Sequence, residues 1–155
     1  MVGRGTNLVD TTYIDNAAVA HLKAAERLQP GSPIAGRAYF ISQGDPRPIR
    51  TFMNGLLQAG GLPPVTRSIP FIAAYALGWL SEQLPSLAEV LHAPPLTRYI
   101  AVMMARDHYF DTSAARRDLG YLPIVDIEEG FRRFGRWISD GSPNAIEASF
   151  AETSS

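Results

Sequence analysis

The side chains able to do acid–base, metal or anion chemistry are few and scattered along this sequence. His21, His92 and His108 lie far apart and none sits in an HExxH-type pair, so the ligand spacing that zinc needs is missing and no metal site is expected. There is no cysteine, which excludes thiolate ligands, thiol nucleophiles and disulfides. The single lysine, Lys23, has valine rather than tyrosine four residues before it, so no Tyr-x-x-x-Lys pair stands ready for proton transfer. Asp107 and His108 are neighbours and would face opposite ways on a strand, which argues against an acid–base pair. No catalytic, cofactor-binding or metal-ligating residue is assigned on these grounds.

Two constellations remain. Asp10 and Asp15 flank Tyr13. Either Asp10 and Tyr13 stand at the rim of a site, or Asp10 holds loop amides while Asp15 caps a helix; the second reading is preferred because a cap needs only one side chain in place. Arg98 and Arg106 bracket an apolar segment holding Tyr99, Met103 and Met104 and suit bidentate contact with an anionic ligand. Arg116 and Arg117 are expected on a solvated helix surface. The glycines of GRG at Gly3–Gly5 are too few and too near the start to form a dinucleotide-binding loop.

The elements that must position these groups are organised around Arg37–Ile49, RAYFISQGDPRPI. Ala38–Ile41 is apolar on both faces of a strand and so asks for cover above and below, as in a parallel sheet. Before it, Asn7–Ile14 has strand composition, and a helix over Asp15–Leu28 is capped by Asp15 or Asn16, with Ala18, Leu22 and Ala25 forming a narrow packing stripe that Val19 and Ala20 widen. After it, the spacing of Ile49, Phe52, Met53, Leu56 and Leu57 predicts a helix over Pro48–Ala59, broken by Gly60-Gly61. Thr66–Pro70 is expected to be extended.

A long apolar helix follows over Phe71–Leu84, with Tyr75 and Trp79 on one face and Glu82 its only charge. Pro85 and Pro94-Pro95 bracket a short piece, and Thr97–Ala105 reads as helix. Asp107–Asp111 is extended, and a helix over Thr112–Leu119 takes Thr112 or Ser113 as its cap. Asp126 opens the last helix, with Ile127, Phe131, Phe134 and Ile138 on one face. The domain is read as residues 1–139, and residues 140–155 as a polar, Ser-rich tail without order.

Composition bounds the rest. At 155 residues, 46% apolar and 19% charged, the chain is long and greasy enough to fold. A net charge of -1 without a basic stripe gives no support for nucleic acid as a partner. The first ten residues lack the apolar core of a signal peptide, and the absence of cysteine fits a reducing cytosol, so a cytoplasmic protein is expected. The apolar run Phe71–Leu80 has ten residues, short of the roughly 20 that span a bilayer. It is core, the wall of a greasy pocket, or a surface-lying helix in peripheral contact with a membrane.

Several short patterns then line up in order. They are Gly5-x-Asn7-x-x-Asp10-x-x-Tyr13-Ile14-Asp15-Asn16 with Ala20-His21 and Ala24-Ala25; Gly36-x-Ala38-Tyr39-Phe40-Ile41 with Gly44 and Pro48; and Pro95-Leu96-Thr97-Arg98. Tyr109-Phe110-Asp111, Ala115-Arg116-x-Asp118-Leu119-Gly120-Tyr121-x-Pro123 and Glu128-Glu129-Gly130 complete the set. With these spacings, from about Gly5 to Trp137, the chain resembles the C-terminal part of extended short-chain dehydrogenases. Within the NAD-dependent epimerase/dehydratase superfamily it is most similar to the 3β-hydroxysteroid dehydrogenase branch that includes sterol-4α-carboxylate 3-dehydrogenases.

The resemblance implies an α/β fold: the C-terminal portion of a Rossmann-type reductase, mostly helical with a few short strands, the nucleotide-binding half absent. It implies that Ala38–Ile41 is a late strand of that sheet and that the Phe71 and Thr97 helices form the substrate-side lobe. It implies oxidoreductase activity on a 3β-hydroxysteroid or sterol-like hydroxyl, as in steroid biosynthesis, with NAD or NADP in the complete enzyme and substrate contacts at Asn7, Thr97, Arg98 and Tyr99. In that family the N-terminal half carries the Gly-rich cofactor loop and the Tyr-x-x-x-Lys pair, and neither is found here. A fragment, a truncated gene or half of a split protein is expected, inactive and without cofactor alone, whose partner is the missing half. A nucleotide-sugar epimerase or dehydratase tail, and a non-catalytic module docking on a Rossmann partner, are the alternatives.

Overall fold

The computed structural model describes residues 1–83 and 96–140. The pieces expected around Pro85 and Pro94-Pro95, Leu84 as a helix end, His92 and the tail beyond Asp140 lie outside the described residues. Two-residue strands β1 (Leu8–Val9) and β2 (Arg47–Pro48) pair antiparallel, Leu8 opposite Pro48 and Val9 opposite Arg47. Around them stand helices α1 (Ile14–Arg27), α2 (Ile49–Ala59), α3 (Phe71–Gln83), α4 (Arg98–Ala105) and α5 (Ile127–Ser139), with a π turn over Ala115–Leu119. Single parallel bridges tie Val2 to Ile69 and Val9 to His108, so Thr66–Pro70 and Asp107–Asp111 are extended as expected.

The central segment departs from its expected form. Residues 37–43 belong to no strand: among the described residues Gln43 N donates to Thr11 O at 2.7 Å, and Ile41 O and Ser42 O accept from the Thr12 and Tyr121 hydroxyls, without a strand ladder. Its cover is also one-sided. Tyr39 and Ile41 pack on a core of Ala20, Ile34, Ala115, Leu119 and Tyr121, while Phe40 is 58% exposed and stacks on the equally open Phe110, ring centres 4.2 Å apart.

In α1 the expected cap is displaced, and of the expected stripe Ala20 is the buried member. The capping position is Tyr13, which gives no side-chain hydrogen bond; Asp15 and Asn16 are already inside the helix, where their side chains no longer face the free first-turn amides. Asp15 instead pairs with Arg133 at 2.9 Å. The buried stripe is Asn16, Ala20 and partly Ala24, whereas Ala18, Leu22 and Ala25 face outward, since Ile34, Leu119 and Tyr121 approach from the other side. Alanines lie on both sides of this helix, so the partners decide which side is buried.

The segment Thr112–Leu119 is helical as expected, α at Ser113–Ala114 and then π over Ala115–Leu119, with Tyr121 N donating to Ala115 O at 3.2 Å. Asp111, not Thr112 or Ser113, holds its start: one carboxylate oxygen accepts from Ser113 N and the other from Ser113 Oγ, each at 2.8 Å. Gly120 ends it at φ 63°, a left-handed conformation that side chains resist, and the Arg27 guanidinium donates to the freed Leu119 carbonyl. α5 follows its expected form: Asp126 caps it, accepting from Glu129 N at 2.7 Å, and Phe131 packs on Phe52 of α2.

Helix α3 buries only Ala74, in a second cluster with Val2 and Ala101, and Gly78, against the start of α4. At 100° per residue, the exposed Tyr75, Trp79, Ile72, Leu80 and Leu77 cover about 200° of its circumference. Among the described residues this helix gives Ala74 to the core and leaves its large apolar side chains open.

Candidate functional site

The α3–α4 hairpin gathers the expected substrate residues Thr97, Arg98 and Tyr99. Its two helices touch through backbone. A Cβ on Gly78 would meet Arg98 N at 2.6 Å and the Thr97 carbonyl carbon at 2.7 Å, so only glycine lets α3 lie this close. Thr97 caps α4, its hydroxyl oxygen accepting from Ile100 N at 3.2 Å. Glu82 crosses from α3, one carboxylate oxygen accepting from Arg98 N at 2.9 Å and the other from Arg98 Nε at 2.6 Å.

The backbone N–H of Arg98 and then its guanidinium hold the Glu82 carboxyl below the usual carboxylate range. Glu82 and then Tyr75 strengthen the charge of Arg98 in turn. The result is one ion pair set in an apolar surface made by Phe71, Tyr75, Trp79 and Tyr99. Arg98 keeps guanidinium N–H groups beyond the one given to Glu82, enough to meet an anionic group.

Asn7, the fourth expected contact, lies elsewhere. Its Nδ2 donates to the Arg106 carbonyl at 2.9 Å, just past the far end of α4, about 12 Å along the helix axis from Thr97. The structure thus brings Thr97, Arg98 and Tyr99 together by chain adjacency and leaves Asn7 at the other end. Asp107 accepts from Leu8 N at 2.7 Å and is occupied by the backbone. Arg106 is exposed and, like Arg4 and Arg67, enters no ion pair among the described residues.

The Asp10–Tyr13 constellation takes the structural form. Asp10 Oδ2 accepts from Ser42 Oγ at 2.6 Å and Gly44 N at 2.8 Å, so it organises the turn after the central segment. The Arg133 guanidinium lies 5.7 Å from the centre of the Tyr13 ring. His21 and His108 each donate Nδ1–H to a main-chain carbonyl, of Ala17 at 2.7 Å and of Arg106 at 3.0 Å. Among the described residues no group of three metal-ligating side chains converges.

One polar cluster was not foreseen. Asn16, fully buried, donates Nδ2–H to Gln43 Oε1 at 2.9 Å and to Val125 O at 2.8 Å, and its Oδ1 accepts from Ile124 N and Val125 N. Gln43 donates to the same Val125 carbonyl. A polar residue one turn before Ala20 is a sequence signal for this, but only once the buried side of α1 is known.

Gly3 and Gly5 both have positive φ, yet Gly3 N donates to Ile69 O and no helix opens after them, so no helix N-terminus is offered to a pyrophosphate. Gly3–Gly5 does not form the phosphate site of a dinucleotide.

Residues 1–71 match the sequence model of the 3-beta hydroxysteroid dehydrogenase/isomerase family. The resemblance read from the sequence is found. A 2-alkyl-3-oxoalkanoate reductase of Stenotrophomonas maltophilia is 51% identical over 133 residues, covering 86% of this chain and 40% of that protein. The decarboxylating sterol-4-alpha-carboxylate 3-dehydrogenase of Mus musculus is 30% identical over 135 residues, covering 86% of this chain and 37% of that protein. Among solved structures, a UDP-glucuronic acid 4-epimerase from Bacillus cereus in complex with NAD superposes with a TM-score of 0.56 at 18% identity, covering 90% of this chain and 34% of the other.

The fold is thus the mostly helical α/β arrangement, with few short strands, of the C-terminal portion of Rossmann-type epimerases and dehydrogenases. The chain spans about 40% of the length of the curated relatives named here. Among the described residues no helix is long and apolar enough to cross a membrane.

Proposed function

We propose that this chain is the substrate-side portion of an NAD(P)-dependent oxidoreductase acting at the 3-position of an apolar, sterol-like or long-chain substrate. The carrying observation is the α3–α4 surface: exposed aromatic and aliphatic side chains around one charged pair, Glu82–Arg98. The names of the two curated relatives point the same way. A 2-alkyl-3-oxoalkanoate and a sterol-4α-carboxylate oxidised at its 3-position both carry a carboxylate on the carbon next to the one that changes oxidation state. The substrate class is then a β-oxo or β-hydroxy carboxylate with greasy substituents, with Arg98 meeting the carboxylate, Tyr99 and Thr97 beside it, and Asn7 at the far end of the same hairpin.

The cofactor's phosphate site and the proton-transferring pair are not among these residues. Alone the chain should bind no dinucleotide tightly and turn over no substrate.

The test is kinetic, on the whole protein that contains this chain. Arg98→Leu is expected to raise KM for a 2-alkyl-3-oxo acid at least tenfold while leaving the corresponding ketone, which lacks the carboxylate, unaffected. Equal effects on acid and ketone would sink the reading.

Two further readings have their own support. The one-sided segment 37–42, in no strand among the described residues and with Phe40 and Phe110 open, suits docking on a Rossmann-type partner, whether the rest of the same protein or a separate chain. The apolar arc of α3, together with Arg4, Arg67 and Arg106, which enter no ion pair among the described residues, suits peripheral contact with an anionic membrane.

A further inference from the structure

A cleft of about 200 Å³ opens between α2 and α5, and none of its lining residues belongs to the α3–α4 hairpin. Its walls are Phe52 and Leu56 from α2 and Ile127, Phe131 and Phe134 from α5. The segment Thr11–Tyr13, with Gln43 and Asp126, supplies its polar edge. The size suits a single aromatic ring with a small substituent, since an apolar cavity of about 150 Å³ already holds benzene.

The polar edge selects the ligand's chemistry. Gln43 commits its side-chain amide to Asn16 and Val125. Thr12 Oγ donates to Ile41 O at 3.0 Å, leaving only its lone pairs. One Asp126 oxygen accepts from Glu129 N, and the other keeps a negative charge at the edge. No lysine or arginine lines the cleft, and the Arg133 guanidinium over Tyr13 is bound to Asp15 and Glu129. What remains on offer is the charged Asp126 oxygen, with the Thr11 and Tyr13 hydroxyls beside it, along an apolar wall and with no cation to receive an anion.

We infer that this cleft is a binding site for a neutral, single-ring aromatic molecule carrying one hydrogen-bond donor, of the size and polarity of phenol. The site goes beyond the proposed function and does not rest on it.

Phenol and benzoate share a ring and reverse the polar end, so together they decide the matter. With Leu and Ile methyl groups labelled in the whole protein that contains this chain, titration with phenol should shift the Leu56 and Ile127 methyl signals saturably and give intermolecular NOEs to both. Benzoate at the same concentration should shift them at least tenfold less. Leu56→Trp should fill the cleft and abolish the phenol shifts; should that variant not fold, the phenol–Ile127 NOE in the unaltered chain carries the decision alone. Three outcomes overturn the site: no saturable shift, equal response to benzoate, or NOEs confined to Leu77 and Leu80 on the open face of α3.

Discussion

Asn16 grips Val125 by both of its main-chain polar atoms, donating to the carbonyl at 2.8 Å and accepting from the amide at 3.0 Å. The two residues are 109 positions apart, so this one carboxamide fixes the start of α1 against the chain that leads into α5. Replacing it leaves buried amide and carbonyl groups without partners, at about 1–3 kcal/mol for each group not rescued by water. Asn16→Ala is expected to lower the unfolding free energy of the chain by about 2–3 kcal/mol in urea denaturation. A loss below about 0.5 kcal/mol would mean that water replaces the carboxamide without cost.

A second buried polar contact gives a dependence on alkaline pH. Tyr121 is fully buried and its hydroxyl donates to Ser42 O at 3.0 Å. Burial, and then the negative Asp10, push its phenol above the ordinary tyrosine value. The folded state thus favours the neutral form. Its contribution is fully present below the unfolded value of about 10 and is lost as pH rises through the higher folded value. Tyr121→Phe should cost about 1–2 kcal/mol at neutral pH by leaving the Ser42 carbonyl unpaired. It should also flatten the fall in stability above about pH 10. Tyr39, likewise raised, by burial and by Asp118, makes Tyr39→Phe the control.

How much of this was legible in the sequence depended on whether the determining interaction was local. Asp126 as a cap and the Ile127–Phe131–Phe134 face of α5 were readable because both follow from neighbours within a turn or two. Thr97 as an opening residue was readable for the same reason. The buried side of α1 was not, since alanine stands on several sides and only the distant Leu119 and Tyr121 choose among them. Ala38–Ile41 carries a strand pattern, but a strand exists only through pairing, and the pairing partner is not among the described residues. At the candidate site, Arg98 and Tyr99 were singled out by type and position, whereas the Glu82–Arg98 clamp and the α2–α5 cleft depend on helix packing that spacing does not reveal.

Arg47 donates to both Asp45 and Glu128, so β2 is tied to the first turn of α5. Its hydrogen bond is the main reason that Glu128 titrates below the usual glutamate range. A lowered folded value means stability present above the unfolded value of about 4.3 and lost as pH falls through the lower folded one. In Arg47→Gln the Glu128 carboxyl, followed by carbon NMR, should return upward toward that ordinary value. An unchanged titration would show that the helix start, not Arg47, holds it down.

The close approach at Gly78 makes a sharper test of the hairpin. A methyl group there would overlap the Arg98 amide and the Thr97 carbonyl carbon, both main-chain atoms that cannot swing aside. Gly78→Ala should therefore destabilise the chain by about 1–3 kcal/mol, despite the better helix propensity of alanine. By pushing α4 away it should also loosen the bond from Arg98 N to Glu82 and move the Glu82 titration upward. Destabilisation without that movement would mean that α3 distorts while the charged pair survives.

Trp79 reports on what meets the open side of α3. It is half-exposed and lies in the apolar arc, and the second tryptophan, Trp137, can be silenced as Trp137→Phe. With vesicles containing anionic phospholipid, the remaining emission should shift to the blue and be quenched by brominated acyl chains if the helix lies in the interface. Vesicles of neutral lipid should act more weakly, and added salt should reduce the anionic effect, because Arg4, Arg67 and Arg106 have no acidic partner among the described residues. Emission unmoved by either vesicle would remove the membrane reading. The apolar arc would then be left to substrate and to the remainder of the protein.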